Sequence, residues 1–154
     1  MLAWRSCQQC QISHHLKSPD RGSLTNMSDE LMLGRQVDQD EYGRLDTFPV
    51  DRPVEVIFHT EELQALCPAV DGIQPDIYSA TISYTAVTAA IESKSLKLWL
   101  TTYRDKRIFA EHLVGELADH IAALGDAVSD ITVTLSQNVR GGIATEVTAK
   151  PLGG

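Results

Sequence analysis

The most informative stretch of this chain is ESKSLKLWLTTYR, residues 92–104. Its apolar side chains Leu96, Trp99, Leu100 and Tyr103 recur at intervals of three and four residues. That spacing is typical of one face of an α-helix. The polar positions between them include two lysines three residues apart. The segment therefore predicts an amphipathic helix with an apolar face toward a core and cations on its other face.

Regular patterns on both sides of this segment predict the rest of the fold. A second helix is expected over residues 107–123, where apolar residues step by four, and Gly125 is placed to end it. Alternating apolar and polar residues predict strands at 54–59, 77–85, 131–136 and 143–149. The order is β-β-α-α-β-β, and its simplest packing is an antiparallel sheet with both helices on one face, which is an α+β fold. Such a sheet has exposed edges, which favour oligomers.

Length and charge narrow the class of protein. The chain has 154 residues, of which 43% are hydrophobic and 22% charged, as expected of one domain with a single core. Its net charge of −8 argues against sequence-independent binding of nucleic acid, which requires a basic face. We find no apolar run long enough for a membrane span and no apolar centre of a signal peptide. We therefore expect a soluble, cytoplasmic protein.

The first 30 residues differ from the remainder. They are polar and without periodicity, and we expect a disordered arm over 1–30 ahead of a single domain over 31–154. Met27 is a candidate for the true translation start. The arm contains Cys-x2-Cys-x3-His-His from Cys7, which is the spacing of half a zinc site. Because no second half-site follows, we interpret these residues as part of a loose tail and predict no metal.

Cys67 and two acidic residues are candidates for chemistry. The chain has three cysteines, and such a low, odd number argues against a disulfide framework. Cys67 begins a loop rich in Asp, Gly and Pro, which suits a nucleophile. A lone cysteine is as often a small buried hydrophobe, so the two interpretations stand level. Asp76 suits a general acid, although turn chemistry explains it as well or better. Glu111 fits the first turn of a helix, or the edge of a guanine-like base.

The cations also have two interpretations. Lys94 and Lys97 share a helix face, with Ser93 and Ser95 near the helix start. Such a face is usually a solvated surface, but it is also suited to the capture of phosphate. The segment that begins at Arg140 and continues with two glycines is a hairpin turn, or a place where the backbone approaches an anion closely.

These pieces, in this order, resemble the QueF family of NADPH-dependent 7-cyano-7-deazaguanine reductases. The hallmark of that family, Glu-Ser-Lys-Ser-aliphatic-Lys, is matched residue for residue by positions 92–97. Further matches are Cys67-Pro68, Gln74-Pro75-Asp76, Phe109-Ala110-Glu111 and Arg140-Gly141-Gly142. The resemblance covers about residues 33–149.

The resemblance implies the tunnelling fold, in which subunits join their sheets into a ring and the active sites lie between neighbours. It implies a homo-oligomer that uses NADPH to reduce the nitrile of 7-cyano-7-deazaguanine to the aminomethyl group, in queuosine or related deazaguanine pathways. It also implies residue roles: Cys67 attacks the nitrile carbon to form a thioimide, Asp76 donates a proton, Glu111 holds the base with Glu92 and Ser93, and Lys94, Ser95, Lys97 and Arg140 bind NADPH.

Two features depart from the family pattern. The segment from Cys67 to Asp76 is two residues longer than the usual Cys-Pro-x-Thr-Gly-Gln-Pro-Asp. Ala110 stands where the family has a histidine before its glutamate, and His112 follows Glu111 instead.

Three alternatives remain. A QueF-like amidinotransferase forms the same thioimide on a deazaguanine in tRNA and lets ammonia attack it; it lacks the NADPH motif that this chain has. A pterin-type cyclohydrolase needs a metal-activated water, and nothing near Cys67 in the sequence offers the ligands. A non-catalytic, oligomeric base-binding protein would have no need of the thiol.

Overall fold

The computed structural model of the chain describes residues 31–32 and 34–153. The expectations for the N-terminal arm, including its Cys-His cluster and Met27, lie outside the described residues. The strands are β1 (Thr47–Pro49), β2 (Val54–Leu66), β3 (Pro75–Ala86), β4 (Ala89–Ile91), β5 (Val128–Arg140) and β6 (Ile143–Ala149). Two α-helices lie between β4 and β5: α1 (Ser93–Thr101) and α2 (Ala110–Ala122).

The main sheet is antiparallel throughout and has the strand order β2-β3-β5-β6. One face of its central strands is apolar and buried, because residues at every second position of β3 and β5 point the same way. Both helices pack on this face and contribute to one hydrophobic cluster with it. β1 and β4 form a separate two-stranded sheet at the start of α1.

The predicted fold class is confirmed. The four long strands and the two helices occur in the expected order, and both helices lie on one face of an antiparallel sheet. Gly141 and Gly142 form the turn between β5 and β6 with φ values of 57° and 82°, which a two-residue hairpin requires. Gly125 follows the end of α2 with a φ of 65°.

The differences are mainly of length. β2 continues to Leu66 and β5 to Arg140, well past the predicted ends. The short strands β1 and β4 were not predicted, because three residues are too few to show alternation. Among the described residues, no helix has both the length and the apolar character needed to cross a membrane.

Candidate active site

Cys67 and Asp76 lie at the open end of the β2–β3 hairpin. The ladder continues to the end of β2, where Leu66 pairs with Pro75 and Ala65 with Asp76. One step further, the Cys67 N–H donates to the Gln74 carbonyl over 3.0 Å. Residues 68–73 therefore bulge beyond the ladder, and 71–73 are exposed. The two extra residues of this loop do not separate the cysteine from the aspartate.

The register also decides which face the two residues share. Ala65 and Asp76 are directly opposite, and both are buried, with 0% and 5% of their surface exposed. Cys67 is the first residue after β2 and follows Ala65 by two residues, so strand alternation predicts that its side chain shares the face of Asp76. Diagonal neighbours in an antiparallel pair lie about 7–8 Å apart. The Cys67 thiol is half-buried.

The link between the helices brings a third residue to this end of the sheet. The Leu66 N–H donates to the Lys106 carbonyl over 2.8 Å, and the Ile108 N–H donates to the Leu66 carbonyl over 3.2 Å. The two segments run parallel here. The chain from Ile108 therefore runs alongside Cys67 and enters α2, whose first turn carries the exposed Glu111.

Glu92 has a structural position at the start of α1. It is the N-cap residue, and its carboxylate accepts hydrogen bonds from the N–H groups of Lys94 (2.7 Å) and Ser95 (2.8 Å). These bonds satisfy donors that a helix start leaves unpaired. Only 2% of the Glu92 surface is exposed, a burial that a charged group tolerates when it is hydrogen-bonded.

Ser95 connects the same helix start to the preceding chain. Its hydroxyl donates to the Glu92 carbonyl over 2.8 Å and accepts from the Asp46 N–H over 2.9 Å. The Asp46 carboxylate in turn accepts from the Met32 N–H and from Arg44 Nε, each over 2.7 Å. Ser95 is fully buried. We call the described residues before β1 (31–32 and 34–46) the strap, because they fold over the start of α1.

Lys94 also contacts the strap. Its Nζ donates to the carbonyl oxygens of Met32 (2.8 Å) and Arg35. Lys97, on the next turn, is exposed. Arg140 is the last residue of β5, directly before the Gly141-Gly142 turn. The residues predicted to bind the cofactor therefore have different surroundings. Lys97 is exposed, whereas Lys94 and Ser95 form hydrogen bonds with the strap.

Two cavities lie beside α1. The first, of about 280 Å³, separates α1 from β2 and is lined by polar residues from both elements. Those polar residues are His59, Thr60, Glu62, Ser93, Lys97, Thr101 and Arg104. The second, of about 550 Å³, is mainly apolar and includes Phe48, Val54, Glu92 and Ser93 in its wall. Neither cavity is lined by Cys67, Asp76 or Glu111.

The first cavity has groups that suit an anion, with two cations against the single carboxylate of Glu62. Lys97 and Arg104 contribute two positive charges from α1 and the turn after it, and Ser93 adds a hydroxyl. On the opposite wall, the His59 ring bonds Thr81 Oγ1 through Nδ1 over 3.0 Å, which leaves Nε2 for a ligand. These groups fit the phosphates of a dinucleotide cofactor.

Sequence reasoning missed three residues around these sites: Asp46, His59 and Arg107. Arg107 donates to three carbonyls of the 67–74 loop, and Asp46 fastens the strap to α1. The partners of Arg107 are backbone carbonyls 35 to 40 residues away, and three of the four partners of Asp46 lie at least 14 residues away, so neither set leaves a local pattern in the chain. His59 lines the same cavity as Lys97 and Arg104. The sequence could have pointed to it only if β2 had been known to face α1.

Comparison with known proteins identifies the family of this chain. The family model described as "QueF-like protein" matches residues 75–152. A protein of Syntrophus aciditrophicus named NADPH-dependent 7-cyano-7-deazaguanine reductase is 38% identical over 123 residues, which cover 77% of this chain and 84% of that protein. This chain belongs to the QueF family. A family member of the same name from Frankia casuarinae is 41% identical over 101 residues, 65% of this chain and 78% of its own.

One solved structure of a QueF-like protein also aligns with the chain. It is the archaeosine synthase QueF-Like in the apo form, with a TM-score of 0.49 and 19% sequence identity, covering 65% of this chain and 93% of its own.

Proposed function

We propose that this QueF-family chain is an NADPH-dependent nitrile reductase that converts 7-cyano-7-deazaguanine to 7-aminomethyl-7-deazaguanine. The relatives from Syntrophus and Frankia carry the name of this activity and align over most of their length. The observation that carries the proposal is the β2–β3 register, which keeps Cys67 and Asp76 on neighbouring positions despite the longer loop. A reductase of this kind needs a nucleophile and an acid at one place.

Covalent capture begins the proposed reaction. The Cys67 sulfur bonds to the nitrile carbon while one π bond of the nitrile breaks, and the nitrogen takes a proton from Asp76. The product is a thioimide, which is a better hydride acceptor than a neutral nitrile. Covalent capture therefore divides the difficult reduction of the nitrile into easier steps. Between the two reductions the carbon–sulfur bond breaks, and Cys67 leaves as a thiolate. Overall the nitrile takes up two hydrides and two protons.

Glu111 anchors the base in this proposal. An exposed carboxylate can accept two parallel hydrogen bonds from adjacent N–H groups of a guanine-like edge. The backbone bridge at Leu66 brings the start of α2 to the same end of the sheet as Cys67. Ser93 lines the two cavities and not the Cys67 end of the sheet, so in this proposal its hydroxyl reaches the base from a neighbouring subunit. Glu92 supports it indirectly, because its carboxylate caps α1.

NADPH supplies both hydrides when it is bound. We assign its phosphates to the first cavity, where Lys97 and Arg104 offer charge. Arg140 precedes the β5–β6 turn and does not line that cavity, so in this proposal it contacts the cofactor from a neighbouring subunit. Lys94 and Ser95 act on the cofactor through the start of α1, which they hold against the strap. Because neither cavity reaches Cys67, we propose that a complete site forms between subunits of a homo-oligomer.

The decisive experiment uses free 7-cyano-7-deazaguanine in two arms. With NADPH present, we expect NADPH oxidation at two equivalents per aminomethyl product. Without NADPH, intact-protein mass spectrometry should show an adduct of the full substrate mass on Cys67. Cys67→Ala should abolish both signals. Full turnover by the Cys67→Ala chain would contradict the mechanism and favour a function that does not use the thiol.

An amidinotransferase is the second candidate, since the longer loop and Ala110 depart from the reductase pattern. It would share the adduct but not the reduction. Adduct formation without NADPH oxidation, followed by ammonium-dependent conversion of the nitrile carbon to an amidine, would favour that activity over the reductase.

A further inference from the structure

Arg107 holds the loop that begins at Cys67. Its Nη1 donates to the carbonyl oxygens of Cys67 (3.1 Å) and Val70 (3.0 Å), and its Nη2 donates to that of Gly72 (2.6 Å). One guanidinium therefore binds the loop at its start, its middle and its outer end. An exposed arginine that only solvates a surface would not be expected to converge on three backbone carbonyls of one segment.

The backbone around Arg107 fixes the root of this contact. Leu66 bonds to Lys106 and Ile108, the neighbours of Arg107 on either side, through its N–H and its carbonyl. The arginine thus projects from a segment that is itself attached to the end of β2. Its rigid, planar fork loses little freedom for each hydrogen bond that it makes.

The loop needs such a contact because of its length. Residues 68–73 lie beyond the last ladder bond, and the segment is two residues longer than the family pattern. Val70 is half-buried, but Asp71, Gly72 and Ile73 are exposed and offer little packing to order the loop. Gly72 has a φ of 94°, a conformation that glycine adopts without strain.

We propose that Arg107 is a positioning residue for the covalent step: it fastens the enlarged loop so that the Cys67 thiol stays on the face of the sheet that carries Asp76. Arg107 does not touch the reacting atoms in this proposal and acts through the Cys67 backbone. The inference rests on the proposed function for the identity of the electrophile.

The test is the rate of adduct formation between the full chain and 7-cyano-7-deazaguanine without NADPH, followed by intact-protein mass. Arg107→Ala should lower the rate at saturating nitrile by about 10- to 100-fold, because small misplacements of a reacting group have effects of this size. The half-saturating nitrile concentration should change by less than about 2-fold, since Glu111 holds the base. Arg107→Lys keeps the charge but loses the planar guanidinium, so its rate of adduct formation should lie between those of the wild type and Arg107→Ala.

The matched control is Arg52→Ala. Arg52 is also an exposed arginine, lines neither cavity and makes no hydrogen bond or ion pair with the described part of the chain. It should react at the wild-type rate. If the Arg107→Ala chain, folded as judged by circular dichroism, also reacts at that rate, the proposal is overturned. If the wild-type chain itself forms no adduct, the proposed function fails first, and a positioning role in that step fails with it.

A second variant tests the link to loop length. Replacing residues 70–73 with Thr-Gly restores the length of the family pattern. In that background Arg107→Ala should have a much smaller effect on the adduct rate, because the shorter loop needs no fastening. An equal loss in both backgrounds would show that Arg107 acts on something other than the enlarged loop, and would overturn the proposal.

Discussion

Two aspartates at the end of the β2–β3 hairpin have the same side chain and opposite surroundings. Asp76 is 5% exposed, lies on the buried face of β3 and pairs in register with Ala65. Asp71 is exposed on the loop, five residues earlier in the chain. A proton donor has to be held beside the reacting nitrogen and away from bulk water. Position in the ladder, rather than nearness in sequence to Cys67, therefore favours Asp76.

Asp76→Asn tests that assignment at the level of one atom. The amide has almost the same shape but cannot deliver a proton, so thioimide formation should fall by about 100-fold or more. Asp71→Asn, in the same loop, should react like the wild type. The measurement is the rate of adduct formation by intact mass at fixed nitrile concentration. A greater loss with Asp71→Asn would move the acid from the strand to the loop.

At the scale of elements, the start of α1 combines capping and binding in adjacent residues. Lys94 and Lys97 are one turn apart and have identical side chains, yet Lys94 donates to two strap carbonyls and Lys97 lines the first cavity. The two lysines of residues 92–97 therefore differ in surroundings: Lys94 holds the strap, and Lys97 faces the first cavity.

The two lysines should therefore give different phenotypes when removed. Lys97→Ala should raise the KM for NADPH by about 10-fold, as expected for loss of a charged contact to phosphate, and leave thermal stability near wild type. Lys94→Ala should lower the free energy of unfolding by about 1–2 kcal/mol, because two strap carbonyls lose their donor. Steady-state kinetics and urea unfolding measure the two effects. An unchanged stability in Lys94→Ala would place that lysine with the cofactor instead.

The strap should also respond to acid. Glu41 accepts two hydrogen bonds from Arg35, of 3.1 and 2.6 Å, and this contact is the main reason that the pKa of Glu41 is lowered. A lowered pKa means that the stabilisation is complete above the ordinary value near 4.5 and is lost as the pH falls through the lower, folded value. Proteolysis of the strap should therefore increase in acid, and Glu41→Gln should be more susceptible than the wild type at neutral pH. A strap that stays protected at low pH would contradict this.

Whether a feature of the fold or the site could be predicted from the sequence depends on how far apart in the chain its interacting residues lie. The periodicity of residues 92–104 located α1 to within a few residues, because a helix is fixed by neighbours three and four apart. β2 was predicted too short, since its register shifts between Thr60 and Leu63 and breaks the alternation. The three contacts of Arg107 join groups 35 to 40 residues apart, and all three are made to backbone carbonyls, which every residue type carries. Nothing local in the sequence encodes them.

At the scale of the whole molecule, the cations proposed to bind NADPH and the proposed nucleophile Cys67 lie at different places along β2. Lys97 and Arg104 line a cavity between α1 and the middle of β2, whereas Cys67 lies beyond the end of that strand. The edge strands of the sheet are β2, which pairs with the 106–108 segment only at Leu66, and β6. Exposed apolar residues lie along them, such as Ile57 (52% exposed) and Ile143 (71% exposed). Such edges are suited to joining sheets of neighbouring chains, which would bring the cavity of one chain toward the cysteine of another.

Mixing two defective chains tests that arrangement. Cys67→Ala lacks the nucleophile, and Lys97→Ala, with its about 10-fold higher KM, should keep about a tenth of the wild-type activity at low NADPH. If each site takes its cysteine from one subunit and its cation cavity from the next, random reassembly of equal amounts should place both intact residues together in about a quarter of the interfaces. Activity should then return to about a quarter of the wild-type value after joint unfolding and refolding, with each variant refolded alone as the control. If both residues of a site come from the same chain, no mixture can combine them, and the mixture should remain as inactive as its components.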